Sequence, residues 1–221
     1  MNILKADSAA LLDAVTALLG EKGLVTAEEL AERIAITEEA SPAQGARMVA
    51  KAWTDPAYRE LMLRDGTAAA EAVGAFMRGA PPLGVLGNER GLHHLVVCTL
   101  CSCYPRAVLG YPPFWFKSSA YRARAVRDPR GVLAEWGTVL QAETKLRVVD
   151  STADYRWMVL PMRPDGTDGW SEDELAALVS EGDMIGVTVP NVGREAGRAS
   201  LPADEARRTS SDPPPLTSPS P

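Results

Sequence analysis

Apolar positions in the first part of the chain recur at helical spacing. Leu11, Leu12, Val15, Leu18 and Leu19 fall on one face of a helix. Thr26 and Glu29 have the spacing of a capping box, in which each side chain satisfies an orphan amide of the other. Leu30 and Ile34 follow on one side. Ser41-Pro42 places an N-cap before a proline at the first helical position. Met48, Val49, Ala52 and Trp53 then repeat every three to four positions. Asp55-Pro56 restarts a helix carrying Tyr58, Leu61 and Met62, and Asp65-Gly66 ends it. Short stripes of this kind predict a helical arm over residues 1–80. Such an arm needs another surface to bury its stripes, which points to a partner subunit.

The pattern changes at Pro81. "APPLGVLG" reads as a turn-rich boundary, and "HHLVVCTL" as a short buried strand running into a cysteine segment. "YPPFWF" is a loop of aromatics and prolines. "YRARAVRDPRGVLAEWG" is a basic amphipathic helix, restarted at Pro129 and ended by Gly137. "KLRVVD" (145–150) and "YRWMVLP" (155–161) read as two strands, and the short "STAD" between them predicts a hairpin. Ser171 and Glu174 form a second capping box that opens a helix with Leu175, Leu178 and Val179. "MIGVTVP" (184–190) predicts a last strand. A compact domain is therefore expected over 81–192, followed by a disordered Pro/Ser-rich tail over 193–221. No internal repeat is evident.

Composition narrows the class of function. With 221 residues and 46% hydrophobic content, the chain can bury a sizeable core. A net charge of −6 argues against general nucleic-acid binding, which needs a basic surface to neutralise phosphates. "MNILKADSAALLDAV" makes a poor signal peptide, and no apolar run is long enough to span a bilayer. A cytoplasmic setting is expected, where structural disulfides are rare.

That setting sharpens the question posed by "CTLCSCYPR" (98–106). All three cysteines of the chain, Cys98, Cys101 and Cys103, lie within it. An odd number cannot close a disulfide framework in one chain. Buried thiols acting as small hydrophobes would not cluster so tightly. A redox C-x-x-C leaves the third cysteine unexplained. Metal ligation suits the spacing better, because thiolates are soft donors favouring zinc, copper(I), iron or cobalt. A structural zinc site would want a fourth ligand, and the only histidines, His93 and His94, lie on the expected strand. On spacing alone, a structural and a catalytic metal both remain open.

The wider string carries a resemblance. "VVCTLCSCYP", "VLGYPPFWFKSSAYRARAVRDPRGVLAEWG" and "VLPMRPDGTDGWSEDELAALV" together resemble the α subunit of nitrile hydratase, from about Thr26 to Val192. The resemblance implies an α+β fold, with the helical arm followed by a four-layer α-β-β-α sandwich domain. It implies a metal held by the thiolates of Cys98, Cys101 and Cys103 and by the deprotonated backbone amides of Ser102 and Cys103, with one position open. In the family, threonine after the first cysteine goes with cobalt and serine with iron. Thr99 thus implies one Co(III) per chain, with iron as the alternative. The second and third cysteines of the family are oxidised to sulfinate and sulfenate, which maps to Cys101 and Cys103. The implied reaction is hydration of a nitrile to an amide, with the oxygen on Cys103 as nucleophile and Ser102 orienting the ligand set. Implied partners are a β subunit, as one chain or two, and a cobalt-loading activator. The active site would lie at the α–β interface, where two β-subunit arginines contact the oxidised sulfurs.

Some residues depart from the commonest pattern or admit a second reading. Arg106 stands where many nitrile hydratases have a pocket tryptophan. An arginine there resembles the γ subunit of thiocyanate hydrolase and would suit an anionic substrate. Arg106 and Trp115 are thus the candidate substrate-pocket residues. Arg122, Arg124, Arg127 and Arg130 read as a solvated face or as a surface that pairs with a partner's acids. Asp150 and Arg156 are candidates to brace the metal loop. A non-catalytic zinc-binding subunit remains the further alternative.

Overall fold

The structure is a computed structural model that describes residues 3–193. The expected tail, from Gly193 onward, lies otherwise outside the described residues. The chain divides into two compact units between Glu39 and Ala40. The division therefore falls well before residue 80, because the helices from Pro42 onward bury their apolar faces within the second unit.

The first unit holds α1 (Ile3–Glu21) and α2 (Ala27–Glu39). The capping box at the start of α2 forms as the spacing predicts: Thr26 N donates to Glu29 Oε2 at 2.8 Å, and Glu29 N donates to Thr26 Oγ1 at 3.1 Å. Leu11, Leu12, Val15 and Leu18 of α1 and Ile34 of α2 are exposed.

The second unit contains α3 (Pro42–Thr54), α4 (Pro56–Arg64), α5 (Gly66–Ala72), β1 (Leu83–Gly87), β2 (Leu92–Val97), α6 (Arg106–Leu109), α7 (Phe114–Lys117), α8 (Ser119–Arg127), α9 (Pro129–Glu135), β3 (Lys145–Asp150), β4 (Arg156–Leu160), α10 (Glu172–Leu178) and α11 (Glu181–Ile185). Asp55 and Asp65 cap α4 and α5, accepting from Tyr58 N and Ala68 N. Each aspartate also follows the preceding helix, so one residue ends a helix and begins the next. Met48, Val49 and Met62 are fully buried, which is the fate the helical spacing assigns them.

The strands form two parallel pairs, β1 with β4 and β2 with β3. The pairs meet through β2 and β4. Helices α4, α5 and α11 pack against β1–β4, while α8 and α9 pack against β2–β3. The result is an α+β unit with helices outside both strand pairs. Leu95, Val96 and Val97 on β2, and Met158, Val159 and Leu160 on β4, are all buried without alternation, as expected of strands covered on both faces.

Three sequence expectations are corrected. "KLRVVD" and "YRWMVLP" do not pair as a hairpin. The turn between them closes through Thr152 N donating to Tyr155 O at 2.9 Å, but Ser151 N then donates to Val97 O and Arg156 N to Pro82 O. Each strand is thereby directed to a different, parallel partner. "MIGVTVP" is not a strand. Ser180 and Asp183 form a capping box that opens α11, and Gly186 ends it in the left-handed region at φ 89°. "APPLGVLG", read as a boundary, contributes β1.

Gly186 is required by its surroundings as well as its φ. A Cβ there would lie 2.0 Å from the carbonyl oxygen of His94. Its own carbonyl accepts from His93 Nε2 at 2.7 Å, while Asn88 Nδ2 donates to His93 Nδ1 at 3.2 Å. His94 donates from its backbone N (2.8 Å) and its Nδ1 (3.1 Å) to Asn88 Oδ1. Both imidazoles are thus committed to β2 and its neighbours.

Replacing Gly186 by Ala should destabilise the fold by about 3 kcal/mol, from backbone strain plus overpacking, measured by denaturant unfolding. Burial depresses the pKa of both His93 and His94 below the ordinary histidine value. The unfolded chain therefore binds more protons than the folded one as pH falls through about 6.5. Stability should be intact above that pH and decline below it. In melting curves between neutral and mildly acidic pH, His93→Gln should flatten this dependence.

Candidate metal centre

The cysteine segment begins where β2 ends. Val97 is the last residue of the ladder and pairs in register with Asp150, the last residue of β3. That pairing sets the Asp150 carboxylate beside the first turn of the loop. Asp150 Oδ1 accepts from Thr99 N at 3.0 Å, and Oδ2 accepts from the Thr99 hydroxyl. From α8, Arg122 Nη1 reaches the Thr99 carbonyl at 3.4 Å. All three polar groups of Thr99 are thus held from outside the loop.

Held in this way, the loop turns back on itself. Cys101 N donates to Cys98 Sγ at 3.3 Å. Cys98 Sγ lies 3.5 Å from Cys101 Sγ, which lies 3.1 Å from Cys103 Sγ. All three sulfurs fall within 4.8 Å of one another, and all three are free thiols. Cys98 and Cys103 are buried, while Cys101 is exposed and neighbouring Leu100 is 88% exposed. The cluster therefore has one face in the protein and one open.

The same asymmetry governs its electrostatics. Hydrogen bonds from Cys103 and then Cys98 pull the Cys101 thiol below its ordinary pKa, with the Ser102 amide adding to the effect. Burial, followed by the two neighbouring sulfurs, pushes Cys103 up to about 12, and the Arg156 guanidinium opposes that rise. A cation among the sulfurs would replace the shared protons and stabilise all three as thiolates.

Rigid aromatic packing backs the loop. Tyr104 is buried, and its hydroxyl donates to Glu181 at the start of α11. Its ring meets Phe116 edge-on at 4.9 Å. Tyr121 donates to Val96 O at 2.7 Å, one residue from the end of β2. Trp115 stacks among Trp136 at 4.8 Å, Tyr121 at 5.0 Å and Phe116 at 5.9 Å.

The residues singled out in sequence fare differently. Cys98, Cys101 and Cys103 come together, with half-buried Ser102 between the last two. Asp150 braces the loop directly. Arg106, the first residue of α6, is exposed and lies over the Tyr111 ring at 4.3 Å. Trp115 is 4% exposed and belongs to the aromatic core, while the ring on the surface is Phe114 at 78%. His93 and His94 bond to Gly186 and Asn88 instead. Two participants went unrecognised in the sequence. Arg122 was indistinguishable from the other arginines of its basic run. Glu181 carries no signal until α11 is seen beneath Tyr104.

The donor set fits a soft or borderline metal. Three sulfurs converge, and among the described residues no histidine, aspartate, glutamate or fourth cysteine joins them. A structural zinc site takes four side-chain ligands, so the zinc alternative lacks its last donor here. A metal that accepts backbone nitrogens could complete its shell within the loop.

Comparison with known proteins gives nitrile hydratase alpha subunits together with thiocyanate hydrolase. The model for "Nitrile hydratase, alpha chain" matches residues 6–188. The chain is 45% identical over 189 residues to the low-molecular weight cobalt-containing nitrile hydratase subunit alpha of Rhodococcus rhodochrous, covering 85% of this chain and 91% of that one. It is 47% identical over 191 residues to the thiocyanate hydrolase subunit gamma of Thiobacillus thioparus, covering 81% and 79%. Among solved structures, a recombinant thiocyanate hydrolase comprising partially modified cobalt centres superimposes with a TM-score of 0.78 at 44% identity, covering 90% of this chain and 97% of that one. With its clustered sulfurs and a match spanning both units, the chain belongs to the nitrile hydratase alpha chain family.

Proposed function

We propose that this chain is the metal-binding catalytic α subunit of a nitrile hydratase, converting a nitrile to the corresponding amide at a low-spin Co(III) centre. The convergence of the three cysteine sulfurs, with an open face at Cys101, carries the reading. The cobalt-containing relatives support the choice of metal over iron. Cys98, Cys101 and Cys103 would hold the ion through sulfur, and Ser102 and Cys103 through their backbone amides. When bound, it supplies Lewis acidity that polarises the nitrile carbon.

The chain's own residues would do the rest. Cys103, once oxygenated, presents the nucleophilic oxygen, and Cys101 carries the sulfinate. Oxygens on sulfur withdraw electron density from the donor set and keep the ion acidic. Ser102 joins the two modified residues and fixes their relative orientation. The Asp150–Thr99–Arg122 contacts hold the turn so that little reorganisation is needed during the reaction. Arg106, exposed at the start of α6, would line the substrate pocket, and Trp115 would support it from within the aromatic core. The nitrile hydratase β subunit, as one chain or two, would cover the open face, and the helical region over 1–80 would contact it through exposed Leu11, Leu12, Val15 and Leu18. An activator protein would load cobalt. No helix among the described residues is long and apolar enough to cross a membrane, and reduced thiols before loading suit the cytoplasm.

One observation favours a second reading. An exposed arginine immediately after the tyrosine-proline step that follows the cysteines, together with 47% identity to a thiocyanate hydrolase γ subunit, would suit an anionic substrate. In that case the product would be carbonyl sulfide with ammonia.

The deciding assay offers a small nitrile and thiocyanate in parallel to the chain co-purified with its native partners from cobalt-supplemented cells. Amide without thiocyanate turnover is expected, whereas carbonyl sulfide with little amide would transfer the site to the second reading. Replacing any one of Cys98, Cys101 or Cys103 by Ser should lower bound cobalt at least about tenfold by elemental analysis, since a hard hydroxyl replaces a soft thiolate. Asp150→Asn keeps the shape of the brace but loses its charge-assisted hydrogen bonds, worth about 1.5–3 kcal/mol. Cobalt occupancy under limiting metal should fall about tenfold.

A further inference from the structure

The cysteine loop is held at each end by a carboxylate from another element. At its entry, Asp150 of β3 holds Thr99, one residue after Cys98. At its exit, the hydroxyl of Tyr104, one residue after Cys103, donates to half-buried Glu181 at the start of α11. Tyr104 is buried, and its ring meets Phe116 edge-on at 4.9 Å. Its carbonyl accepts from Arg106 N at 2.8 Å, where the chain turns into α6. A buried hydroxyl that loses its acceptor bears the full cost of leaving water.

α11 also reaches the other end of the loop. Gly186, which closes α11, lies against β2. Its carbonyl accepts from His93 Nε2 at 2.7 Å, and a Cβ on it would lie 2.0 Å from the carbonyl oxygen of His94 and 3.3 Å from Leu95 Cα. β2 runs directly on to Cys98. Met184 of α11 is fully buried, and its sulfur lies 2.7 Å from where a Cβ would stand on Gly45 of α3. The same point is 2.5 Å from Leu109 Cδ2 and 3.2 Å from the carbonyl oxygen of Val108, both in α6. The five residues of α11 thus bridge the strand before Cys98 and the tyrosine after Cys103, on a seat shared with α6. The span of the loop depends on this short helix keeping hold of both ends.

We propose that Glu181 is a positioning residue for the metal centre. By holding the Tyr104 hydroxyl it fixes the exit of the loop, and with it the sulfur and amide of Cys103 relative to Cys98 and Cys101. The inference rests on the reading of the loop as a metal centre. Glu181 is not one of the converging donors, and it acts only through Tyr104.

The test uses the full chain co-expressed with its partner. Wild type, Glu181→Leu, Glu181→Gln, Tyr104→Phe and the double variant Glu181→Leu/Tyr104→Phe are compared by cobalt-to-chain ratio under limiting metal. At saturating cobalt they are compared by the thiolate-to-cobalt charge-transfer absorption. Ser180→Ala is the control, because it removes the cap of α11 and leaves the Tyr104 contact in place. Glu181→Leu and Tyr104→Phe should each lower cobalt occupancy about tenfold and shift the absorption in the same direction. The double variant should lose no more than either single one, since all three remove one contact. Glu181→Gln keeps an acceptor and should stay within about twofold of wild type. Ser180→Ala should lower the melting temperature and leave both metal readouts at wild type.

Wild-type occupancy and absorption in Glu181→Leu would overturn the proposal and leave the metal-centre reading standing. So would additive losses in the double variant, or no rescue by Glu181→Gln. A cobalt loss in Ser180→Ala equal to that in Glu181→Leu would also overturn it, by marking a general structural role for α11. If Glu181→Leu does not fold, Tyr104→Phe decides, and wild-type values there overturn the proposal. A wild-type chain that takes up no cobalt would remove the metal-centre reading, and this inference with it.

Discussion

The geometry of the sulfur cluster depends on one strand register. Parallel pairing of β2 with β3 sets Val97 opposite Asp150, and the chain leaves the ladder at that point. The carboxylate then takes both the amide and the hydroxyl of Thr99. A slip of one residue would turn Asp150 to the other face, because side chains alternate along a strand. The turn would lose its anchor and the sulfurs their convergence. A loop of six residues bearing three thiols has no core of its own to fix its shape. Its order is supplied by the strand pair below it.

The surroundings divide the loop into a fixed side and an open side. Cys98 and Cys103 face the buried aromatic group of Tyr104, Phe116, Trp115 and Tyr121, whose hydroxyls reach Glu181 and the β2 backbone. Cys101 and Leu100 face outward. Burial alone would keep Cys103 protonated, and the neighbouring sulfurs add to that tendency. A cation placed among them reverses it. The same packing that raises the cost of a lone thiolate increases the gain from binding a metal, since both effects come from excluding water. With its positive charge, the Arg156 guanidinium opposes that protonation of Cys103.

Much of the helical framework could be read directly. The capping boxes at Thr26–Glu29 and Ser171–Glu174, and the proline restarts at Pro42, Pro56 and Pro129, rest on contacts within one turn, and they form as the spacing predicts. The strands were found but their partners were not. "STAD" suits a tight turn in either arrangement, and the choice between a hairpin and two parallel pairs depends on Val97 and Pro82, which are remote in sequence. "MIGVTVP" misleads for a related reason. Met184, Ile185 and Val187 are all fully buried, so periodicity cannot distinguish strand from helix there, and the Ser180–Asp183 cap and Gly186 decide for α11.

The sequence by itself determined the donor atoms, their order and the family they belong to, because three thiols in six positions and the motifs around them are local features. It also determined most helix boundaries, where capping and proline act over a few residues. Tertiary structure decided which side of the loop is open, that Trp115 is buried in the aromatic core, and that Asp150, Arg122 and Glu181 converge on the loop from three separate elements. Those outcomes follow from long-range strand pairing and packing. They depend on which distant backbone groups satisfy one another, and no short window of residues contains that information.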